Sequence, residues 1–315
     1  MCIRDRILSR NAVTAGADTR LRFKDRTYEA RFNVGITHID GEEPAIAGYQ
    51  RRNSHLLQRI DQSAIRFDPT RNSMSGAQVT GTLSKIAGRH WLWRANVMIE
   101  SPEFEPSDFG RLNFAGDVSG RYSLTYRETV PGPVFRTNFF RAQISTNNNF
   151  DRAHGIRYNL TSDQGFTFLN FWRTNLDVTR YFRGQDAQLT RGGPVMGVPL
   201  GWNANWSLRS RAAAATQWSV NTGYQSNELG DYVWRYRAGL SVRPSPSLQL
   251  SVEPEYRNER GTRGTFSGPI NRQYLATLPG GRPEVFGRRY VFGLPDNTQL
   301  SARFRVSYTF KPVSY

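Results

Sequence analysis

Cysteine is nearly absent. Cys2 is the single one in 315 residues, so no internal disulfide and no thiolate metal site can form. Lysine is almost as scarce, since Lys24, Lys85 and Lys311 are the only lysines among 42 basic residues. The histidines are His38, His55, His90 and His154, and none stands at metal-ligand spacing from another His or Cys. No apolar run approaches the roughly 18 residues that a spanning helix needs, which excludes a helical membrane protein. The signatures of common catalytic folds are missing too. The stretch GDVSG at 116–120 places its serine one position too late for a nucleophile elbow. There is no phosphate-binding loop and no dinucleotide fingerprint. These absences give catalysis no support, and no cofactor is expected.

What is present is alternation. In LSARFRVSYTF (300–310), Leu300, Ala302, Phe304, Val306, Tyr308 and Phe310 alternate with Ser301, Arg303, Arg305, Ser307 and Thr309. A period of two marks a strand with one apolar and one polar face. About eleven residues is also the length that a tilted strand needs to cross a bilayer. A hydrophobic content of 38% and a mean hydropathy of −0.59 are low for a helical membrane protein. They suit a transmembrane barrel, in which half of every strand faces a polar lumen. The aromatic content of 13% fits the girdles such barrels carry at both interfaces.

The alternation recurs in pairs along the chain. Strand-like segments at 18–24 and 28–36 flank a turn at Asp25-Arg26, and 78–86 and 90–100 flank Ala87-Gly88-Arg89. Segments 114–127 and 134–144 flank Val130-Pro131-Gly132-Pro133, and 156–160 and 166–178 flank Thr161-Ser162-Asp163-Gln164. The pairs 202–208 with 216–224, 232–242 with 248–256, and 289–293 with 299–310 complete the set. Seven hairpins, or about fourteen strands, predict an all-β, antiparallel, up-and-down transmembrane β-barrel. Long connections at 40–75, 101–113, 183–201 and 258–287 alternate with short turns, as outer-membrane barrels show, although 146–149 and 225–230 are short where a long loop is expected. The stretch 45–59 is expected to hold a short helix within its loop. The opening MCIRDR lacks the apolar core of an export signal. The organisation expected is a non-native or disordered piece at 1–16, an incomplete barrel domain at 17–311 that need not close, and a truncated end at 312–315.

Several segments resemble domain of unknown function 5916: RLRFKDRTYEA (20–30), FDPTRNSMSG (67–76), GRHWLW (88–93), SPEFEPSDFG (101–110), RGGP (191–194) and RRYVFG (288–293). The resemblance spans most of the chain. It implies a barrel-like C-terminal region that follows a secreted, family-9-like carbohydrate-binding module, which is missing here. A glycan partner is therefore an implication of the resemblance, not of any residue in this chain.

The net charge of +16 raises nucleic acid as a partner, but the arginines are spread one or two per strand without clustering, which speaks against it. Arg121, Arg127, Arg209, Arg235, Arg237, Arg303 and Arg305 occupy polar-face positions and are expected to line a lumen. Left unpaired there they would favour anionic solutes, but the reading favoured is that each pairs with an acid such as Glu29, Glu253 or Glu255, or simply meets water. Arg191-Gly192-Gly193-Pro194 reads as a loop-shaping device, because glycines reach conformations closed to other residues. Glu100, Glu103, Glu105 and Asp108 could suit a hard cation such as calcium, but the spacing is no EF-hand and a solvated acidic loop is expected. Trp202, Trp206, Tyr232, Trp234, Tyr236, Tyr122 and Tyr126 fall on apolar faces, as girdle residues would.

The function expected is therefore a non-catalytic domain of the bacterial outer membrane, in contact with lipid, for passage or surface handling of a solute or glycan. An outer-membrane carbohydrate-active hydrolase component and a soluble basic all-β binding module are the alternatives.

Overall fold

The computed structural model describes residues 9–59, 61, 65–106, 112, 114–150, 155–186, 188–261, 274–282, 287–293 and 296–310. Cys2, Asp108, His154, Lys311 and the 312–315 end lie outside the described residues, as do the first eight positions of the 1–16 piece. The protein is all-β with a single helix among those residues. In chain order its elements are β1 (Asn11–Phe23), β2 (Tyr28–Asp40), α1 (Glu43–Arg51), β3 (Ser73–Lys85), β4 (Trp91–Glu100), β5 (Asp117–Glu128), β6 (Phe135–Asn149), β7 (Gly155–Phe168) and β8 (Arg173–Tyr181). Then come β9 (Gly184–Asp186), β10 (Met196–Val198), β11 (Gly201–Arg209), β12 (Thr216–Asn227), β13 (Tyr232–Ser245), β14 (Leu248–Arg260), β15 (Tyr274–Pro279), β16 (Arg288–Phe292) and β17 (Asp296–Tyr308).

Thirteen strands form one sheet in the order β1-β2-β3-β4-β5-β6-β7-β8-β11-β12-β13-β14-β17, while β9 with β10 and β15 with β16 form two small separate sheets. Every neighbouring pair in the large sheet is antiparallel. Direction reverses at each step, so β1 and β17 at the two edges run the same way. No pairing joins them among the described residues, and the sheet is open.

Register carries the alternation from strand to strand. One row across the sheet reads Arg22, Glu29, Ser84, Arg94, Ser123, Gln143, Thr161, Thr179, Asn203 and Gln225, polar at every step through ten strands. One residue along, the row reads Leu21, Ala30, Leu83, Ala95, Tyr122, Ile144 and Leu160, apolar throughout. In the later strands Leu176, Trp206, Thr222, Tyr236, Tyr256 and Leu300 continue that apolar side with one threonine. A slip of one residue would exchange the two faces, so this consistency fixes the register.

The apolar face is bare. Ile144, in the middle of the sheet, is 53% exposed, and its cross-strand neighbours Tyr122 and Leu160 are exposed as well. Phe304, Val306, Tyr308 and Phe310 are exposed, as expected. Arg303 and Arg305 lie on the other face of β17 but are exposed too, because β17 is an edge. The interior strands therefore decide the point. No second sheet covers their apolar side among the described residues, which leaves a layered sandwich without its core.

Three expectations are corrected. Among the described residues the large sheet has thirteen strands where about fourteen were expected, because 289–292 lies in β16, which pairs with β15, while β17 pairs directly with β14. Thr161-Ser162-Asp163-Gln164 is not a turn but the middle of β7. The turn lies at 169–172, where Phe171 adopts φ 68° and the Asn170 Oδ1 accepts a hydrogen bond from the Trp172 N–H at 3.1 Å. Finally, β1 begins at Asn11, inside the piece that the sequence reading set apart.

Short turns at 24–27, 86–90, 129–134, 169–172, 210–215 and 246–247 lie at one end of the sheet. The long connections at 41–72, 101–116, 182–200 and 261–295 lie at the other. The expected helix is α1. Pro44 sits in its first turn, where a missing N–H costs nothing, and Glu43 and Arg51 complement the helix dipole at the two ends.

Candidate functional site

The described parts of the first three long connections fold over the polar face of the sheet at one end. Ile46 and Tyr49 of α1 pack with Ile39 of β2 and Met74 of β3, both polar-side positions, in a small buried apolar cluster. The 101–106 segment crosses the same face. The Phe104 ring lies 3.6 Å from where a Cβ on Gly35 would stand, and a Cβ on Gly76 would collide with the Phe104 backbone nitrogen. Glycine at 76 is what allows that close approach.

A buried polar latch holds these segments together. His55 and Glu105 have side chains 0% and 2% exposed, with His55 Nε2 2.8 Å from Glu105 Oε2. His55 Nδ1 stands 2.8 Å from the Pro102 carbonyl oxygen. The Glu105 N–H donates to Thr37 Oγ1 of β2 at 3.0 Å, and Arg52 Nη1 lies 3.9 Å from the same carboxylate. Arg71 pairs with Glu103, and the Gln78 amide donates to Glu100 at 2.9 Å. The expected solvated acidic loop is thus corrected: Glu100, Glu103 and Glu105 are buried. Their partners lie 22 to 50 residues away in sequence, and for that reason the sequence hides them. Among the described residues no cluster of three acidic, His or Cys side chains is poised for a metal.

Arg191-Gly192-Gly193-Pro194 belongs to the third connection, whose β9–β10 hairpin reaches β7 through Arg157 and Asp186 at 3.4 Å. Arg191 and Gly192 have φ of 51° and 105°. A Cβ on Gly192 would crowd Gln58 of the first connection, and one on Gly193 would collide with Tyr290 of the last. The Val195 N–H donates to Asp61 at 2.6 Å. This motif thus sits where three connections meet. The third connection is also tied to the β12–β13 turn by Arg183 and Glu228, at 2.6 Å. The Arg183 guanidinium, with the Leu200 N–H, holds the Glu228 carboxyl well below its ordinary range, at about 2.

The seven arginines divide. Arg237 Nε donates to Glu255 at 3.0 Å, Arg235 Nε lies 3.7 Å from the same carboxylate, and Arg303 Nη1 lies 3.6 Å from Glu253. Arg127 donates to the Gly88 carbonyl at 3.4 Å. Arg121, Arg209 and Arg305 have no acidic partner among the described residues. The largest clamp involves arginines that the sequence reading did not single out: Arg20, Arg22 and Arg31 surround Glu29 at 2.8, 2.8 and 2.5 Å. Arg141 and Asp163 pair at 2.6 Å on the same face. Strand alternation alone could have flagged these. His38 instead points to the apolar side, within 2.8 Å of Ser75 Oγ, and does not pair with Asp40.

The named aromatics fall on the apolar face, with Tyr126 near the short turns, Trp202, Tyr232 and Trp234 toward the other end, and Tyr122 and Trp206 in mid-strand. Phe23 stacks on Tyr28, and Trp91 meets Tyr126 edge-on near the short turns. Trp234 stacks on Tyr236 and approaches Tyr224 toward the capped end.

These features define a class: an open antiparallel sheet with a bare apolar face, a charged and hydroxylated polar face, and a cap of long connections over one end of it. The chain belongs to the family described as a domain of unknown function, DUF5916, whose match covers residues 4–314. No curated protein and no solved structure matches it. No helix among the described residues is long and apolar enough to cross a membrane, a finding that bears on helices alone.

Proposed function

We propose that this chain is the wall and cap of a bacterial outer-membrane β-barrel, non-catalytic in itself, whose polar face lines a lumen for passage or surface handling of hydrophilic solutes. The observation that carries this reading is the pair of adjacent rows, one polar through ten strands and the one beside it apolar through the first seven. A 13-residue strand such as β3, at about 3.4 Å per residue and tilted by about 40°, rises about 34 Å, enough for a hydrocarbon core of about 30 Å. Aromatics near both strand ends are placed as interfacial girdles are. An open edge is not tolerated in lipid. Since β1 and β17 run the same way, an antiparallel seam requires one further strand or another odd number. Glycans enter only through the carbohydrate-binding module that the family resemblance implies.

Because Arg121, Arg209 and Arg305 have no acidic partner among the described residues, the lumen is expected to favour anions. The full chain in planar bilayers should give a reversal potential on the anion-selective side. Arg121→Gln, Arg209→Gln and Arg305→Gln together should shift it toward zero, less so at 1 M salt, where screening shortens to about 3 Å. Replacing Arg235, Arg237 and Arg303 instead strands Glu253 and Glu255, and should lower stability more than selectivity. Cation preference in the unaltered protein would overturn the anion reading.

A further inference from the structure

At the short-turn end, opposite the cap, the polar faces of β11 to β14 and β17 form a half-open hollow of about 540 Å³. Arg209, Arg237 and Arg305 line it from three different strands. Arg237 is held by Glu255, but Arg209 and Arg305 have no ion-pair partner among the described residues. The one acid in the lining, Glu253, faces Arg303 at 3.6 Å. Each free arginine stands beside a hydroxyl, with Ser219 directly opposite Arg209 and Ser251 directly opposite Arg305. Gly239, opposite Ser219, keeps the floor deep, since a Cβ there would collide with the serine hydroxyl.

We infer that this hollow binds an acidic oligosaccharide, a short chain of uronic acid units. The inference rests on the proposed access of solutes to the polar face. Guanidinium groups engage carboxylates through two parallel N–H bonds, and serine hydroxyls both donate to and accept from sugar hydroxyls. Four strand spacings, about 19 Å along the sheet, separate the backbones of Arg209 and Arg305. That span suits carboxylates on more than one sugar, whereas a single inorganic anion would engage one arginine and leave the rest of the hollow to water. Apolar ligands have little to bury against in this lining.

Calorimetric titration of the full chain in detergent micelles tests the site with three probes: trigalacturonate, maltotriose and sodium sulfate. Trigalacturonate should bind at least tenfold more tightly than maltotriose, and more tightly than sulfate. Arg209→Gln and Arg305→Gln should each weaken it about tenfold, with the heat-modifiable gel shift unchanged. Gly239→Ala keeps all three arginines, and should also weaken trigalacturonate by narrowing the floor. Equal binding of maltotriose, sulfate binding as tight as trigalacturonate, or no binding of trigalacturonate would each overturn the inference. The two readings fail separately. Anion-selective conductance without uronate binding removes this site and leaves the conduit, while uronate binding by a protein that never conducts does the reverse.

Discussion

Arginine in place of Ile144 should destabilise the protein in phospholipid by about 2–4 kcal/mol, the cost of a charge near the midplane of a barrel's lipid face. Ile144 lies near the middle of β6, between Tyr122 and Leu160, and is open on its outer side. At about 1.4 kcal/mol per decade, the folding equilibrium constant from urea titrations in vesicles should fall by about one and a half to three decades. Arginine at Gln143, one residue earlier, points to the polar face beside Ser123 and Thr161. It should cost less than about 0.5 kcal/mol, as ordinary surface replacements do. If the apolar side faced water instead, Ile144→Arg would be as harmless as Gln143→Arg. The contrast between the two neighbours is the informative quantity.

Loss of the cap latch is the second large effect. His55→Ala removes the imidazole that stands 2.8 Å from the buried Glu105 carboxylate and leaves the Pro102 carbonyl oxygen without its ring-nitrogen neighbour at 2.8 Å. Removing one partner of a buried hydrogen bond costs about 1–3 kcal/mol. Much of that cost is avoided if the cap lifts and lets water reach the carboxylate. The expected result is therefore a released cap on an intact wall: rapid protease cleavage within 52–72 and higher single-channel conductance, with the strand signal in circular dichroism unchanged. Gly76→Val should act by a different route, driving the Phe104 backbone off β3, and should give the same two readouts. Replacing His55 and Glu105 together by leucine should cost less than the two single alanine changes added together, because their mutual hydrogen bond is lost only once. Full protease resistance in His55→Ala would show that the latch does not hold the cap.

The wall was legible in the sequence because its signal is local. The alternation at 300–310 reappears as β17, and Val130-Pro131-Gly132-Pro133 separates β5 from β6. The short helix expected in 45–59 is α1. The misreadings are local ambiguities. Four polar residues at 161–164 imitate a turn, yet Thr161 and Asp163 face Gln143 and Arg141, with Ser162 and Gln164 on the other side. The turn that follows β7 contains neither glycine nor proline and depends on the left-handed Phe171, so composition gives no sign of it. Likewise, RRYVFG alternates well enough to look like wall strand, but nothing local says that β16 pairs with β15. The cap was illegible for a different reason. His55 with Glu105 and Arg71 with Glu103 join positions 50 and 32 residues apart, and without the fold these residues read as solvated charges. The uneven partnering of the arginines depends on the same register and could not be read from alternation alone.

Tryptophan quenching by lipid tests the central claim most directly. Trp91, Trp93, Trp202, Trp206, Trp218 and Trp234 all lie on the apolar side of their strands. Reconstituted into vesicles with brominated acyl chains, the protein should lose most of its tryptophan emission, while aqueous acrylamide should quench it only weakly. Strong acrylamide quenching with emission untouched by brominated lipid would place the apolar face in water or against another protein, and would contradict the membrane reading.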